Sequence, residues 1–153
     1  PAGIFYHPAN MASGEFQISS ELHFFDPGER NREAYGIFLG GEDLENENQS
    51  YLYFLVRNTG EYLIKKRMGD DTEVIKSWTA NDVIKIYNNE AEGSSVMNKL
   101  TTSVSNSEIT FHINGTEVAS IPKENYTTDG IYGLRVNHSI NLHISDLSYT
   151  PAE

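Results

Sequence analysis

Gly14-Glu15-Phe16-Gln17-Ile18-Ser19-Ser20-Glu21-Leu22-His23-Phe24 carries Phe16, Ile18, Leu22 and Phe24 on one parity and Glu15, Gln17, Glu21 and His23 on the other. Successive side chains of an extended chain point to opposite faces, so this alternation describes a half-buried strand with one dry and one wet face. The same period returns on both sides of the middle of the chain. Residues 51–57 and 62–68 are strand-like runs, joined by Asn58-Thr59-Gly60-Glu61, a short hairpin connection containing glycine. Residues 108–113 lead into Asn114-Gly115, the strongest short-range hairpin signal, because both positions tolerate positive φ. Residues 118–121 then return antiparallel until Pro122.

Further strands are expected over 35–39, closed by Gly40-Gly41, and over 73–78, 99–104, 131–136 and 140–149. Asp26-Pro27-Gly28, the charged stretch 29–33, the acidic stretch 42–50, Gly69-Asp70-Asp71, the polar stretch 88–95, Asn106-Ser107, Thr127-Thr128-Asp129-Gly130 and Asn137-His138-Ser139 are the turns and loops between them. Residues 82–87 fit either a strand or one helical turn. The count is about ten strands at the turn spacing of sandwiches and barrels, with no long helix. No linker or internal repeat divides the 153 residues, so residues 1–153 read as one all-β domain.

Composition narrows the functions. The chain has no cysteine, which excludes disulfides and thiolate metal sites. Its 22 acidic and 11 basic residues give a net charge of -11. Nucleic acid and other long polyanions need a basic face and are therefore not expected partners. No apolar run approaches the ~20 residues that span a bilayer, so no transmembrane segment is expected. The chain begins at Pro1-Ala2-Gly3 without a visible signal peptide, as a processed or trimmed N-terminus would.

Three ordered blocks resemble a known superfamily. The first is Pro1-Ala2-Gly3-Ile4-Phe5-Tyr6-His7-Pro8-Ala9-Asn10 followed by Gly14-Glu15-Phe16. The second is Tyr35-Gly36-Ile37-Phe38-Leu39-Gly40-Gly41 followed by Tyr51-Leu52-Tyr53-Phe54-Leu55-Val56-Arg57. The third is Asn98-Lys99-Leu100, then Phe111-His112-Ile113-Asn114-Gly115-Thr116-Glu117-Val118, then Gly130-Ile131-Tyr132-Gly133-Leu134-Arg135-Val136-Asn137. Their order resembles the concanavalin A-like lectin/glucanase jelly rolls of secreted bacterial proteins, near the laminin-G-like and 3-keto-disaccharide hydrolase-like domains. The resemblance covers nearly the whole chain. It implies a two-sheet antiparallel jelly-roll sandwich, a secreted or periplasmic location, and a further strand ahead of the segment that begins here. It does not imply one activity, since the fold carries lectins, hydrolases and adhesion modules alike.

Candidate chemistry lies on the wet strand faces. Tyr51, Tyr53, Leu55 and Arg57 share one face, Lys65 and Arg67 share another with Leu63, and Arg135 and Asn137 oppose Leu134 and Val136. His143 opposes Leu142 and Ile144. If these faces line one concave sheet, Arg57, Lys65, Arg67 and Arg135 gather four of only eleven basic residues into a patch flanked by Tyr51 and Tyr53. Aromatic faces pack on sugar C–H groups and arginine binds carboxylates in a bidentate fork, so the patch suits a sugar, including an acidic one. Trp78 fits either this patch or the core.

No pair of carboxylates shows the spacing of sandwich-type glucanases, and no catalytic residue is assigned. Asp43, Glu45 and Glu47, in the acidic loop with Asn46 and Asn48, offer the hard oxygens calcium prefers, but not the spacing of a helix-flanked calcium loop. No other cofactor is expected. The first functional expectation is a carbohydrate-binding or adhesion-type module with a glycan or small sugar as partner. The alternatives are a glycan-active hydrolase of the 3-keto-disaccharide hydrolase-like kind, with Glu42 beside Arg57 and Arg135, and a structural domain without a small ligand. Nothing in the sequence sets the oligomeric state.

Overall fold

The computed structural model describes residues 2–25, 32–87, 95–137 and 140–152. Among the described residues twelve strands follow one another: β1 (Ala2–Phe5), β2 (Met11–Ala12), β3 (Phe16–Phe25), β4 (Ala34–Glu42), β5 (Ser50–Arg57), β6 (Glu61–Met68), β7 (Asp71–Ala80), β8 (Ser95–Val104), β9 (Glu108–Ile113), β10 (Thr116–Pro122), β11 (Gly130–Asn137) and β12 (Leu142–Pro151). One 3-10 turn, Lys123–Asn125, links β10 to β11. The strands form a seven-stranded sheet in the order β1-β11-β4-β5-β6-β7, with β2 also paired to β11, and a five-stranded sheet in the order β10-β9-β8-β3-β12. Every pairing is antiparallel. The protein is an all-β two-sheet jelly-roll sandwich, as its strand periodicity and the resemblance imply.

The alternation read from the sequence sets what lies between the sheets. Phe16, Ile18, Leu22 and Phe24 of β3 face Tyr35, Ile37 and Leu39 of β4 and Leu52, Phe54 and Val56 of β5 in one buried cluster. Phe54 meets Tyr62 and Phe111 edge-on, at ring-centroid distances of 6.2 and 5.1 Å. Burying each such side chain contributes roughly 1.5–3 kcal/mol, so this interior holds the two layers together.

The structure departs from the expectations at three places. Strands β1 and β2 were not anticipated; both are short and owe their existence to β11, whose edge they complete. Strand β4 runs through Gly40-Gly41 to Glu42, with an irregular register opposite β5 and β11 instead of a stop. Residues 82–87 are neither strand nor helix. Their backbone groups bond to asparagine side chains: Asn58 Oδ1 accepts from Tyr87 N at 2.6 Å, Asn98 Oδ1 from Lys85 N at 2.9 Å, and Asn114 Nδ2 donates to Val83 O at 2.7 Å. Buried backbone polar groups need partners, and here side chains replace the regular ladder. The expected turns at 26–28, across 88–94 and at 138–139 lie outside the described residues.

Asn114-Gly115 forms its hairpin with φ of 52° and 86°, the left-handed pair that two-residue turn requires. Gly36 meets a different demand, because a Cβ there would run into the Phe54 carbonyl oxygen and sit 2.9 Å from Leu55 Cα.

Tyr35 adds a pH dependence to this core. Its ring stacks on Phe24 at 5.2 Å, and its hydroxyl accepts a hydrogen bond from Asn98 Nδ2 at 3.0 Å. Burial pushes the phenol up to about 12, against the smaller lowering by Asn98. The unfolded chain releases this proton near the ordinary value of ~10, so the contribution of Tyr35 is complete below that pH. It is lost as pH rises from there toward the folded value, at most roughly 3 kcal/mol for the two-unit difference. Urea melts taken between neutral and strongly alkaline pH are expected to show this decline, and Tyr35→Phe is expected to flatten it. An unchanged slope in the variant would assign the decline to other groups.

Candidate functional site on the seven-stranded sheet

The outward face of the seven-stranded sheet is itself partly closed. Phe38 of β4, Tyr51, Tyr53 and Leu55 of β5 and Leu63 of β6 are buried on it, with Ile4, Tyr6 and Trp78 packed against them. Rings run along it as Tyr6–Phe38, Phe38–Tyr51 and Tyr51–Tyr53, at 6.2, 5.2 and 5.5 Å. Tyr51 and Tyr53 each keep only 3% of their surface. The expectation that these two rings stand open beside a sugar is therefore corrected: they are the floor under the charged side chains.

Register explains how the charges come together. Across the sheet, Gly133, Phe38, Tyr53, Lys65 and Val74 stand in one row, and Arg135, Gly36, Leu55 and Leu63 in the next. Arg135 stands two strands from Tyr53, ~10 Å at the usual strand spacing. Gly36, the residue between, places no side chain in the way. The Arg135 guanidinium lies 4.2 Å from the Tyr53 ring centroid, and its Nε donates to the Tyr51 hydroxyl at 3.3 Å. Burial pushes the Tyr53 phenol up, while Arg135 and Arg67 pull it down and Tyr51 adds to the rise.

The result is a shallow cavity of about 240 Å³ whose lining includes Glu33, Tyr53, Lys65, Trp78, Arg135 and Asn137. Four of the residues expected to bind a ligand, Tyr53, Lys65, Arg135 and Asn137, thus meet in one place. Tyr51 and Arg67 pair one register step beyond Tyr53 and Lys65, and Arg67 Nε donates to the Gly69 carbonyl at 2.9 Å.

Arg57 has another task. Its guanidinium lies 3.9 Å from the Trp78 ring centroid and donates to Glu61 Oε1 from Nε at 3.0 Å and Nη2 at 2.7 Å. Thr59 donates to the same oxygen at 2.6 Å, and these bonds, that of Thr59 first, hold the Glu61 carboxyl below its ordinary range. Arg57 therefore braces Trp78 at the rim.

His143 does not join this face. It stands on β12 of the other sheet, opposite His23, with ring centroids 5.7 Å apart. Asp43, Glu45 and Glu47 do not gather either: among the described residues no group of three or more His, Asp or Glu side chains is placed to hold a metal ion. Glu42 lies at the far end of β4 from the cavity, opposite Ser50, whereas Arg57 is opposite Ala34 and Arg135 opposite Gly36. Six residues of strand, roughly 20 Å, separate the Glu42 and Gly36 positions, so the expected grouping of Glu42 with Arg57 and Arg135 does not form. Glu42 instead lines a larger hollow of about 700 Å³ with Asp43 and Asp129. Asp129 Oδ1 there accepts from Gly14 N at 2.9 Å, and that hollow has neither a ring nor a cation in its lining.

Two contributors were missed or left open in the sequence. Trp78 stands on the cavity side, half-buried. Glu33 read only as loop charge, and its one signal is its place beside Ala34 at the mouth of a strand.

No family model matches the chain, and no curated protein does. Solved structures do match. The carbohydrate-binding module CBM66 from Bacillus subtilis aligns with a TM-score of 0.67 at 14% identity, over 90% of this chain and 76% of that one. CG-16, a homodimeric agglutinin from chicken liver, aligns at 0.64 and 7% identity, over 98% and 100%. Chicken galectin 2 aligns at 0.61 and 13% identity, over 94% and 95%. These likenesses show the fold alone, a two-sheet jelly-roll sandwich shared with that binding module and with galectins. No helix among the described residues is long and apolar enough to cross a membrane.

Proposed function

We propose that the protein is a carbohydrate-binding or adhesion-type module, secreted or periplasmic, that uses the outward face of its seven-stranded sheet as a concave sugar site. The observation that carries this reading is the cavity at Tyr53, where a braced tryptophan, two cations and an asparagine amide surround one small hollow. Its volume falls below the ~300 Å³ at which drug-sized sites begin, which suits one sugar ring with the rest of the glycan in solvent. Trp78 supplies an apolar ring for sugar C–H groups, and Lys65, Arg135 and Asn137 supply donors for hydroxyls. Structural neighbours named as a carbohydrate-binding module, an agglutinin and a galectin support the reading.

A glycan-array screen tests it. Wild type is expected to bind a defined group of glycans, and Trp78→Ala to weaken that binding by about tenfold, the loss expected when an aromatic contact is truncated. Equal binding with calcium and with a chelator is expected, since no three carboxylates of the described residues come together. A folded protein that is silent across the array would remove the sugar-binding reading.

A second reading, a glycan-active hydrolase, draws on the larger hollow with Glu42, Asp43 and Asp129. Scoring the bound oligosaccharides for cleavage products, in wild type and Glu42→Gln, separates it from the first.

A further inference from the structure

The cavity at Tyr53 is cationic in a chain of net charge -11. Of its six polar or aromatic wall residues, Lys65 and Arg135 are positive and only Glu33 is negative. Arg67 stands one register step away. Among the described residues the only ion pair is Arg57–Glu61, so no described carboxylate forms a salt bridge with Lys65, Arg67 or Arg135. Arg135 is also held in place, its Nε on the Tyr51 hydroxyl and its flat face on Tyr53. A guanidinium fixed in this way presents its remaining N–H donors as a fork, the arrangement that suits a planar oxyanion.

We propose that the glycan this site takes carries a single oxyanion, a carboxylate or a sulfate ester, which Arg135 binds with Lys65 beside it. The proposal rests on the sugar-binding reading and names its ligand class.

The net acidity of the chain does not oppose a short ligand. Screening at physiological ionic strength reduces interactions beyond ~8 Å, so an anion in the cavity meets Arg135 and Lys65 at contact range and most of the acidic surface through screened solvent. A long polyanion would lie against that surface along its length. The cavity therefore selects a short acidic sugar and gains nothing from a polymer. Asn137 and Trp78, on the same walls, remain for the neutral part of the sugar.

The test is calorimetric titration of the intact protein with galacturonate, its methyl ester, a monosulfated galactobiose and galactobiose itself. At least one acidic sugar is expected to bind about tenfold more tightly than its neutral counterpart, the effect of one charge-assisted fork. The tighter of the two acidic sugars identifies the oxyanion. Arg135→Ala is expected to erase that preference, and so is Lys65→Met in part, which preserves the test if the arginine variant fails to fold. Raising the salt is expected to shrink the preference while leaving neutral binding in place.

Equal binding of acidic and neutral forms overturns the proposal and leaves the sugar-binding reading standing. Preference for the acidic form that survives both substitutions also overturns it. Absence of binding by all four sugars counts against both.

Discussion

Asn98→Leu is expected to remove roughly 3–5 kcal/mol of folding stability, from a total that for ordinary domains is only about 5–15 kcal/mol. Asn98 lies fully buried on β8 with every polar site used. Its Oδ1 accepts from Lys85 N at 2.9 Å and Asn114 Nδ2 at 3.0 Å, and its Nδ2 donates to Lys85 O at 2.9 Å and the Tyr35 hydroxyl at 3.0 Å. An asparagine side chain offers two donor hydrogens and one oxygen with two lone pairs, so nothing is left over. Leucine keeps the branched shape and strands both backbone groups of Lys85, each costing about 1–3 kcal/mol when buried without a partner. Tyr35 loses its donor, while Asn114 retains Val83 O.

The loss is expected to include the docking of residues 81–87, because these bonds hold that segment in place of a sheet ladder. Urea denaturation of wild type and variant measures the total. Proteolysis under native conditions, with cleavage inside 81–87 appearing only in the variant, measures the local part. A loss below ~1 kcal/mol, the value of one ordinary hydrogen bond, would mean that water replaces the asparagine and that the segment is not held by it.

Gly36→Ala is expected to cost about 3 kcal/mol or more, beyond the usual range for an added methyl in a packed site. The new Cβ would meet backbone, the Phe54 carbonyl oxygen and Leu55 Cα, with no flexible side chain to move aside. Strands β4 and β5 pair at this point, Gly36 opposite Leu55, so relief requires the ladder to open. The same opening disturbs the row that Arg135 crosses to reach Tyr53. Two effects are therefore expected together, a lower unfolding midpoint and weaker binding of whatever glycan the site takes. Gly3→Ala is the control, since its Cβ would meet only the Phe5 ring at 3.6 Å. Equal stability of the two variants would show that the sheet relaxes around Gly36 at little cost.

Both predictions concern residues whose importance the chain conceals. Asn98 sits in a run, Asn98-Lys99-Leu100-Thr101-Thr102, that reads as an ordinary strand with a polar residue at its head. Its partners are 13, 16 and 63 residues away, and no local pattern announces them. Gly36 reads as one glycine in an apolar run, and the collision that requires it comes from β5, beyond the acidic loop.

The binding face divides in the same way. Parity placed Tyr51, Tyr53 and Arg57 on one side of β5, Lys65 and Arg67 on one side of β6, and Arg135 and Asn137 on one side of β11, and the structure keeps those sides. Parity is a property of neighbouring residues, which is why it was legible. It does not tell which strands share a sheet or at what register. Those choices, made by strand pairing beyond the local hairpin, sent His143 to the opposite sheet, set Arg57 against Trp78, and separated Glu42 from Arg135.

By itself the sequence determined the class of the molecule: period-two alternation, turn residues at regular spacing and a two-residue Asn114-Gly115 hairpin, all local in origin, specify an all-β sandwich. Tertiary structure alone decided that Tyr51 and Tyr53 are a covered floor, that Trp78 is the ring left at the rim, and that Arg135 lies across a glycine gap above Tyr53. The reason is physical. Burial and the reach of a side chain depend on what stands on the neighbouring strands, and here those neighbours come from β4, β6 and β11, as far as 84 residues away along the chain.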